Sequence, residues 1–155
     1  MINPGISALL LGLIWATTTA AETPLEVAIE GAWLRAMPPS QTTTAAYLSL
    51  TNQGTQDLQI TGASVELADQ VEIHRSRDVD GYQRMERLAG LFLGVGQTVN
   101  FTPGGTHLMV MGLERMPAEG TSVRLCIEFG TSATVCTQAV VRRSTPPAGQ
   151  HHRHP

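Results

Sequence analysis

Two pairs of histidine and methionine residues form a candidate ligand set for a metal ion: His74 with Met85, and His107 with Met109. Thioether sulfur is a soft ligand that suits copper(I), and imidazole binds copper in either oxidation state. Near neutral pH neither ligand has to lose a proton, unlike a thiol, and thioethers survive in an oxidising compartment where exposed thiols would pair. The chemistry that these four side chains could do together is therefore the binding of copper(I).

The spacing of His107 and Met109 predicts that they act together. They follow the turn signal Pro103-Gly104-Gly105, which places them at the start of a strand, near the rim of a sheet. Residues two apart in a strand leave the same face, about 6.7 Å apart at the backbone. This segment therefore presents one imidazole and one thioether side by side.

His74 and Met85 flank a predicted hairpin turn within residues 78–81. A four-residue turn would place the two residues directly opposite each other, whereas a two-residue Asp80-Gly81 turn would make them diagonal neighbours. Both registers keep them on one face, within reach of each other. The hairpin therefore presents a second imidazole and a second thioether.

The same residue types have common structural roles. A methionine in a strand is usually core filler, and a lone histidine is more often a surface or hydrogen-bonded residue than a ligand. Residue types alone leave both interpretations open for the four residues. Three other methionines are candidates for extra thioether ligands, but filler is the favoured interpretation: Met111, which shares a face with His107 and Met109, and Met37 and Met116, which lie in predicted loops.

The elements that carry these residues are predicted to be β-strands. Apolar and polar residues alternate with a period of two, which is typical of antiparallel sheet with one wet face. Gly-, Asn- and Pro-containing turns separate the runs, and no amphipathic helix of three turns is evident. The pattern predicts an all-β sandwich or barrel. The alternating apolar positions are Leu25, Val27, Ile29, Ala46, Leu48, Leu50, Val71, Ile73, Val99, Phe101, Leu108, Val110, Leu125, Ile127, Phe129, Val135 and Val141.

Both ends of the 155-residue chain differ from this middle part. Residues 1–21 contain the apolar run 6–16 followed by small residues, which predicts a cleavable signal peptide and a periplasmic protein with no stable membrane insertion afterwards. Residues 22–143 are predicted to form one domain. Residues 144–155 are rich in Pro and His, which predicts a disordered tail. Its imidazoles, those of His151, His152 and His154, could bind copper(II) or zinc(II), although a simple solvated tail is equally compatible.

Cys126 and Cys136 are predicted to lie opposite each other across a hairpin centred on Thr131. In an exported protein a structural disulfide is the favoured interpretation, and a redox-active or metal-binding pair is the alternative. Neither cysteine lies near the predicted cleavage region, which argues against a lipoprotein-type anchor.

The spacing of the four candidate ligands resembles the signature of the periplasmic copper chaperone family called PCuAC. That signature is His, ten residues, Met, twenty-one residues and His-x-Met, and His74, Met85, His107 and Met109 match it without a gap. The likeness spans about residues 25 to 142 and includes Ala32-Trp33-x-Arg35, Ala45-Ala46-Tyr47 and the Pro103-Gly104-Gly105 lead. One departure is Arg75, where the family often has Met or an acidic residue; a cation there could weaken binding slightly or mark a docking surface.

The resemblance implies a cupredoxin-like Greek-key β-sandwich or barrel with one surface copper(I) site. It also implies a monomeric, non-enzymatic metallochaperone that delivers copper to cytochrome c oxidase assembly. The acceptor would be a Sco-type thiol protein or the copper subunit of the oxidase itself. A general secreted copper-buffering protein is an alternative.

Other functions are disfavoured by what the chain contains. Its 10 basic residues are all arginines and give a formal charge of −3 with the 13 acidic ones, which provides no basic footprint for nucleic acid. A blue-copper electron carrier needs a Cys thiolate with two His, and neither cysteine stands in a Cys-x-His or Cys-x-Met loop. No Gly-x-Ser-x-Gly or His-Glu-x-x-His motif indicates an enzyme.

Overall fold

The structure, a computed structural model, describes residues 25–143, and all regular elements in this range are strands. The all-β prediction is therefore confirmed. No helix in the described range is long and apolar enough to cross a membrane. The ten strands are β1 (Val27–Arg35), β2 (Thr44–Asn52), β3 (Leu58–Val65), β4 (Gln70–Val79), β5 (Tyr82–Leu88), β6 (Leu91–Leu93), β7 (Thr98–Phe101), β8 (Thr106–Met111), β9 (Ser122–Phe129) and β10 (Thr134–Arg142).

The strands form one hydrogen-bonded sheet around one core, in the order β5-β4-β8-β2-β1-β10-β9-β3-β6, with β7 paired to β2. All pairs are antiparallel except β1 with β10, which run parallel. Neighbours such as β4 with β8 and β8 with β2 are far apart in the chain. The order of the strands therefore decides which distant residues meet.

The period-two alternation separates a buried face from an outer face. On β2, for example, Ala46, Leu48 and Leu50 are buried in the core, and the corresponding positions of the other long strands join them. The residues between them, such as Ala45 and Tyr47, point to the outer face because side chains alternate along a strand. The candidate ligands lie on this outer face of β5, β4 and β8.

Three strands do not follow the predicted pattern. β5 is predicted only as the second arm of the hairpin, and it has no buried position. In β3 the register shifts between Ile60 and Gly62, so that the buried positions change from Ile60 to Ala63 and Val65 and the alternation is broken. β6 is only three residues long, too short to show a period. The alternation therefore did not predict β3, because its register shifts, or β6, because it is too short.

Candidate metal centre

The two histidines of the candidate site lie directly opposite each other. His74 on β4 is the register partner of His107 on β8, and their ring centroids are 6.0 Å apart. A metal ion bound to an imidazole lies about 2.0 Å from the ring nitrogen and therefore about 3.2 Å from the ring centroid. One ion can thus bind two imidazoles whose centroids are up to about 6.4 Å apart. The observed separation is compatible with both imidazoles binding one ion.

The two methionines flank this pair of histidines on either side. Met109 lies two residues from His107 on β8 and faces Glu72, and Met85 on β5 faces Ser76. Because residues two apart share a face, the four candidate ligands occupy three neighbouring strands on the same outer face. The two thioethers are within side-chain reach of the imidazoles.

The hairpin between β4 and β5 has the two-residue turn, so Met85 is a diagonal neighbour of His74. Val79 pairs with Tyr82, which leaves Asp80 and Gly81 as the turn. Both have a positive φ, 56° and 80°, as a type I′ turn requires, and glycine adopts this conformation without strain. The Gly81 backbone N–H also donates to Asp78 Oδ1 at 2.9 Å. The Asp-Gly sequence thus selects the shorter of the two turns considered from the sequence.

Accessibility increases from one side of the site to the other. His107 is 5% exposed and the His74 side chain 16%, whereas Met85 on the outermost strand is 55% exposed. Met109 is intermediate. An approaching molecule therefore meets Met85 first and the imidazole of His107 last.

Hydrogen bonds assign one free nitrogen to each imidazole. His107 Nδ1 lies 2.9 Å from the Gly105 carbonyl oxygen, which can only accept, so Nδ1 donates and Nε2 keeps its lone pair. His74 Nε2 lies 2.8 Å from Glu72 Oε2, so Nε2 donates to the carboxylate and Nδ1 keeps its lone pair. His74 Nδ1 is buried and has no hydrogen-bond partner. A buried acceptor without a partner fits a metal ligand better than a structural histidine.

Two aromatic rings extend the row of His74 and His107 across the sheet. Tyr47 on β2 lies 6.5 Å from His107 between ring centroids, and Trp33 on β1 lies 4.4 Å from Tyr47. The Arg35 guanidinium is 5.4 Å from the Tyr47 ring centroid. Burial raises the pKa of the Tyr47 phenol above its ordinary value, and the positive charge of Arg35 opposes this shift. The inner side of the site is therefore closed by packed rings, whereas its outer side is open.

Two charged residues of the site were not predicted from the sequence. Glu72 and Arg87 lie on the ligand face and form an ion pair of 3.2 Å between Arg87 Nε and Glu72 Oε1. The position of Glu72, two residues before His74 in an alternating strand, was the available signal. Arg75 follows His74 directly and therefore belongs to the opposite face of β4. The positive charge of Arg75, which departs from the family pattern, thus lies on the other side of the sheet from the candidate ligands.

The other methionines have different surroundings. Met111 continues the outer face of β8 and faces Gln70, two register positions beyond Met109 and Glu72. Met116 is partly buried and packs against the core, and Met37 is 37% exposed. Across residues 25–143, no group of three or more His, Cys, Asp or Glu could hold a metal ion.

Cys126 and Cys136 are register partners on β9 and β10 and are joined in a disulfide, with Cα atoms 4.0 Å apart. These strands are on the other side of β1 from the candidate ligands. The predicted signal peptide, residues 1–21, and the predicted tail, residues 144–155 with its three histidines, lie outside the described residues.

Comparison with known proteins identifies relatives of the whole domain. Residues 27–141 match the LpqE-like family model, described as "Putative lipoprotein LpqE-like". A curated protein of Leifsonia xyli subsp. xyli (strain CTCB07), "Putative lipoprotein Lxx21020", is 28% identical over 137 residues, covering 83% of this chain and 81% of the relative.

Solved structures show the same fold. The copper-bound PCuAC domain from PmoF2 is 21% identical with a TM-score of 0.64, covering 81% of this chain and 100% of that domain. CuI-DR1885 from Deinococcus radiodurans is 27% identical with a TM-score of 0.56, covering 78% of this chain and 80% of that protein. These neighbours confirm the resemblance to PCuAC proteins and the cupredoxin-like fold. The chain belongs to the LpqE-like family, and its domain has the PCuAC fold.

Proposed function

We propose that this protein binds one copper(I) ion through His74, Met85, His107 and Met109 and transfers it to another protein outside the cytoplasm. The observation that carries the proposal is the pair of opposed imidazoles, each with one ring nitrogen left free by its hydrogen bonds. The thioethers on the same face add two soft ligands, which favour copper(I) over harder ions. The copper in PmoF2 and DR1885 supports a copper ligand for this chain.

The proposed transfer follows from the chemistry and the exposure of the ligands. All four ligands are neutral, and a thioether can leave without regaining a proton. A thiolate acceptor is both softer and anionic, so transfer to it is favourable. Because Met85 is the most exposed ligand, the acceptor displaces Met85 first and Met109 next, and the buried His107 is released last.

The proposed acceptor is a Sco-type thiol protein or the copper subunit of cytochrome c oxidase, as the family resemblance implies. The lipoprotein names of the relatives support a location in the cell envelope, and a periplasmic location with a cleaved signal peptide belongs to the proposal. The protein itself acts as a monomeric carrier and not as an enzyme.

A blue-copper electron carrier is the less favoured alternative. Such a site needs a cysteine thiolate together with its imidazoles. Both cysteines of the chain are joined in the disulfide of β9 and β10, on strands that do not carry the histidines. An intense visible band of the copper protein would favour the carrier, and a colourless copper(I) protein favours the proposal.

The direct test is an anaerobic copper(I) titration followed by X-ray absorption spectroscopy, on protein lacking residues 144–155 so that tail imidazoles cannot contribute. We expect one copper(I) with two nitrogen ligands at about 2.0 Å and two sulfur ligands at about 2.3 Å. A spectrum with only nitrogen and oxygen scatterers contradicts the ligand set. Copper(I) that binds but does not move to a dithiol acceptor would indicate a copper-buffering protein instead.

A further inference from the structure

Glu72 lies at the centre of a hydrogen-bonded group beside the candidate ligands. Its Oε2 accepts from His74 Nε2 at 2.8 Å, and its Oε1 lies 2.9 Å from Gln70 Nε2 and 3.2 Å from Arg87 Nε. The Glu72 side chain is only 16% exposed, and across the ladder it faces Met109. One carboxylate thus contacts three side chains of the face that carries the proposed ligands.

The first consequence concerns the imidazole of His74. An ionised carboxylate can only accept, so its bond to Nε2 holds the hydrogen on that nitrogen and the lone pair on Nδ1. The bond also restricts rotation of the ring, and Nδ1 stays buried without a partner. Without Glu72, the ring could turn or change its tautomer to satisfy Nδ1, because an unpaired buried acceptor costs free energy. A carboxylate on the distal nitrogen is also the usual support of a metal-binding histidine.

The second consequence concerns the strand that carries Met85. β5 is the last strand at one side of the sheet, and in the strand order it pairs only with β4. Arg87 lies opposite His74 on β5, two residues from Met85 on the same face. Its ion pair with Glu72 adds a side-chain link between β4 and β5 at the level of the site. Because Arg87 is 67% exposed, this link is the weaker of the two.

We infer that Glu72 is a positioning residue, which directs His74 Nδ1 toward the copper(I) ion and, through Arg87, steadies the strand of Met85. The inference rests on the proposed function, because it assigns Glu72 a role in the same site. Glu72 itself does not bind the ion. It acts on two of the four ligands, strongly on His74 and more weakly on Met85.

The test compares Glu72→Ala, Glu72→Gln and Arg87→Ala with the control Glu86→Gln. Glu86 pairs with Arg77 on the opposite face of the same hairpin, so its replacement removes one carboxylate without touching the ligands. Long-range proton–nitrogen spectra of the metal-free proteins report the tautomer of each imidazole. Competition with a calibrated copper(I) chelator reports affinity, and backbone amide spectra report whether each variant is folded.

In the wild-type protein we expect His74 to carry its proton on Nε2. Glu72→Ala should give a mixture of tautomers at His74 and weaken copper(I) binding by about 10- to 100-fold. Glu72→Gln keeps an oxygen acceptor, so it should largely restore the tautomer and part of the affinity. Arg87→Ala should leave the tautomer unchanged and weaken binding by less than Glu72→Ala. His107, bonded to a backbone carbonyl, should keep its tautomer in every variant.

The inference is wrong if folded Glu72→Ala keeps both the wild-type tautomer of His74 and the wild-type affinity. If Glu72→Ala does not fold, a wild-type His74 that carries its proton on Nδ1, or a folded Glu72→Gln that changes the tautomer without weakening copper(I) binding, would contradict it. These outcomes leave the proposed function intact, provided that wild-type protein binds copper(I). Failure of the wild-type protein to bind copper(I) contradicts the proposed function itself and is seen in the same titration.

Discussion

His74 and His107 are separated by 32 residues in the chain, yet they are direct partners across β4 and β8. Their hydrogen bonds leave different nitrogens free, Nδ1 on His74 and Nε2 on His107. Each imidazole is oriented by its own acceptor, a carboxylate for one and a backbone carbonyl for the other. Both rings are thus held in place by hydrogen bonds, and the two thioethers of the proposed ligand set lie on either side of the pair.

Removing the sulfur of either proposed thioether ligand should weaken copper(I) binding. Met85→Leu and Met109→Leu keep most of the side-chain volume but remove the soft ligand, and we expect each to lower the affinity by about tenfold or more, about 1.4 kcal/mol. Met111→Leu is the matched control, since it changes a methionine on the same face two residues beyond Met109. Chelator competition measures all three. If both Met85→Leu and Met109→Leu bind like wild type, the thioethers are filler and the proposed mechanism fails.

Replacing Met109 by cysteine should change the direction of transfer. A thiolate is anionic and softer than a thioether, so Met109→Cys should retain copper(I) more tightly and slow or reverse its transfer to a dithiol acceptor. The copper(I)-loaded protein is mixed with the acceptor, and the two proteins are separated at set times. Metal analysis of each then gives the rate of transfer and the final distribution of copper. Transfer as fast and as complete as that of the wild type would show that the weakness of this ligand does not govern release.

The His-rich tail should form a separate, copper(II)-preferring site. Its three imidazoles lie within four residues, from His151 to His154. Deleting residues 150–155 should abolish any second site for copper(II) while copper(I) affinity stays unchanged. Titrations of both oxidation states with full-length and truncated protein provide the measurement. A truncation that weakens copper(I) binding as much as Met85→Ala would assign the tail to the primary site.

The phenol of Tyr47 should have a pKa above that of an unperturbed tyrosine, which ionises at about pH 10. Its pKa is raised in the folded protein by burial, so the unfolded chain releases this proton first as the pH increases. The resulting stabilisation is complete below about pH 10 and is lost above it, as the unfolded state ionises. Tyr82→Phe leaves Tyr47 as the only tyrosine, and ultraviolet absorbance then records its titration.

A stability measurement checks the same prediction independently. Denaturant unfolding at pH 9 and pH 11 should show a larger loss of stability for wild type than for Tyr47→Phe, which has no phenol to ionise. The exposed Tyr82 provides the control variant Tyr82→Phe, which should behave like wild type. Equal losses in wild type and Tyr47→Phe would assign the pH dependence to other groups.

The mature protein is expected to begin at Ala21 or Glu22. The apolar run of residues 6–16 and the small residues after it motivate this prediction. Mass spectrometry of protein recovered from the envelope fraction of its host measures the first residue. A full-length N-terminus on cytoplasmic protein would contradict both the signal peptide and the periplasmic location.

The sequence by itself determined the features that depend on neighbours along the chain. Alternation predicted seven of the ten strands in the described range, and two-residue spacing placed His107 and Met109 on one face. Both hairpin registers considered, with a two-residue or a four-residue turn, placed His74 and Met85 on one face. These predictions succeeded because side-chain direction in a strand depends only on position along it. The alternation did not predict β3, because its register shifts, or β6, because it has only three residues.

Only the tertiary structure decided how these local pairs combine. The pairing of β4 with β8 sets His74 against His107. The pairing of β8 with β2, and of β2 with β1, brings Tyr47 and then Trp33 beside them. The contacts of Glu72 likewise depend on which strand lies on each side of β4. Strand order results from burying one shared core, to which residues distant in sequence contribute, so no local pattern contains it.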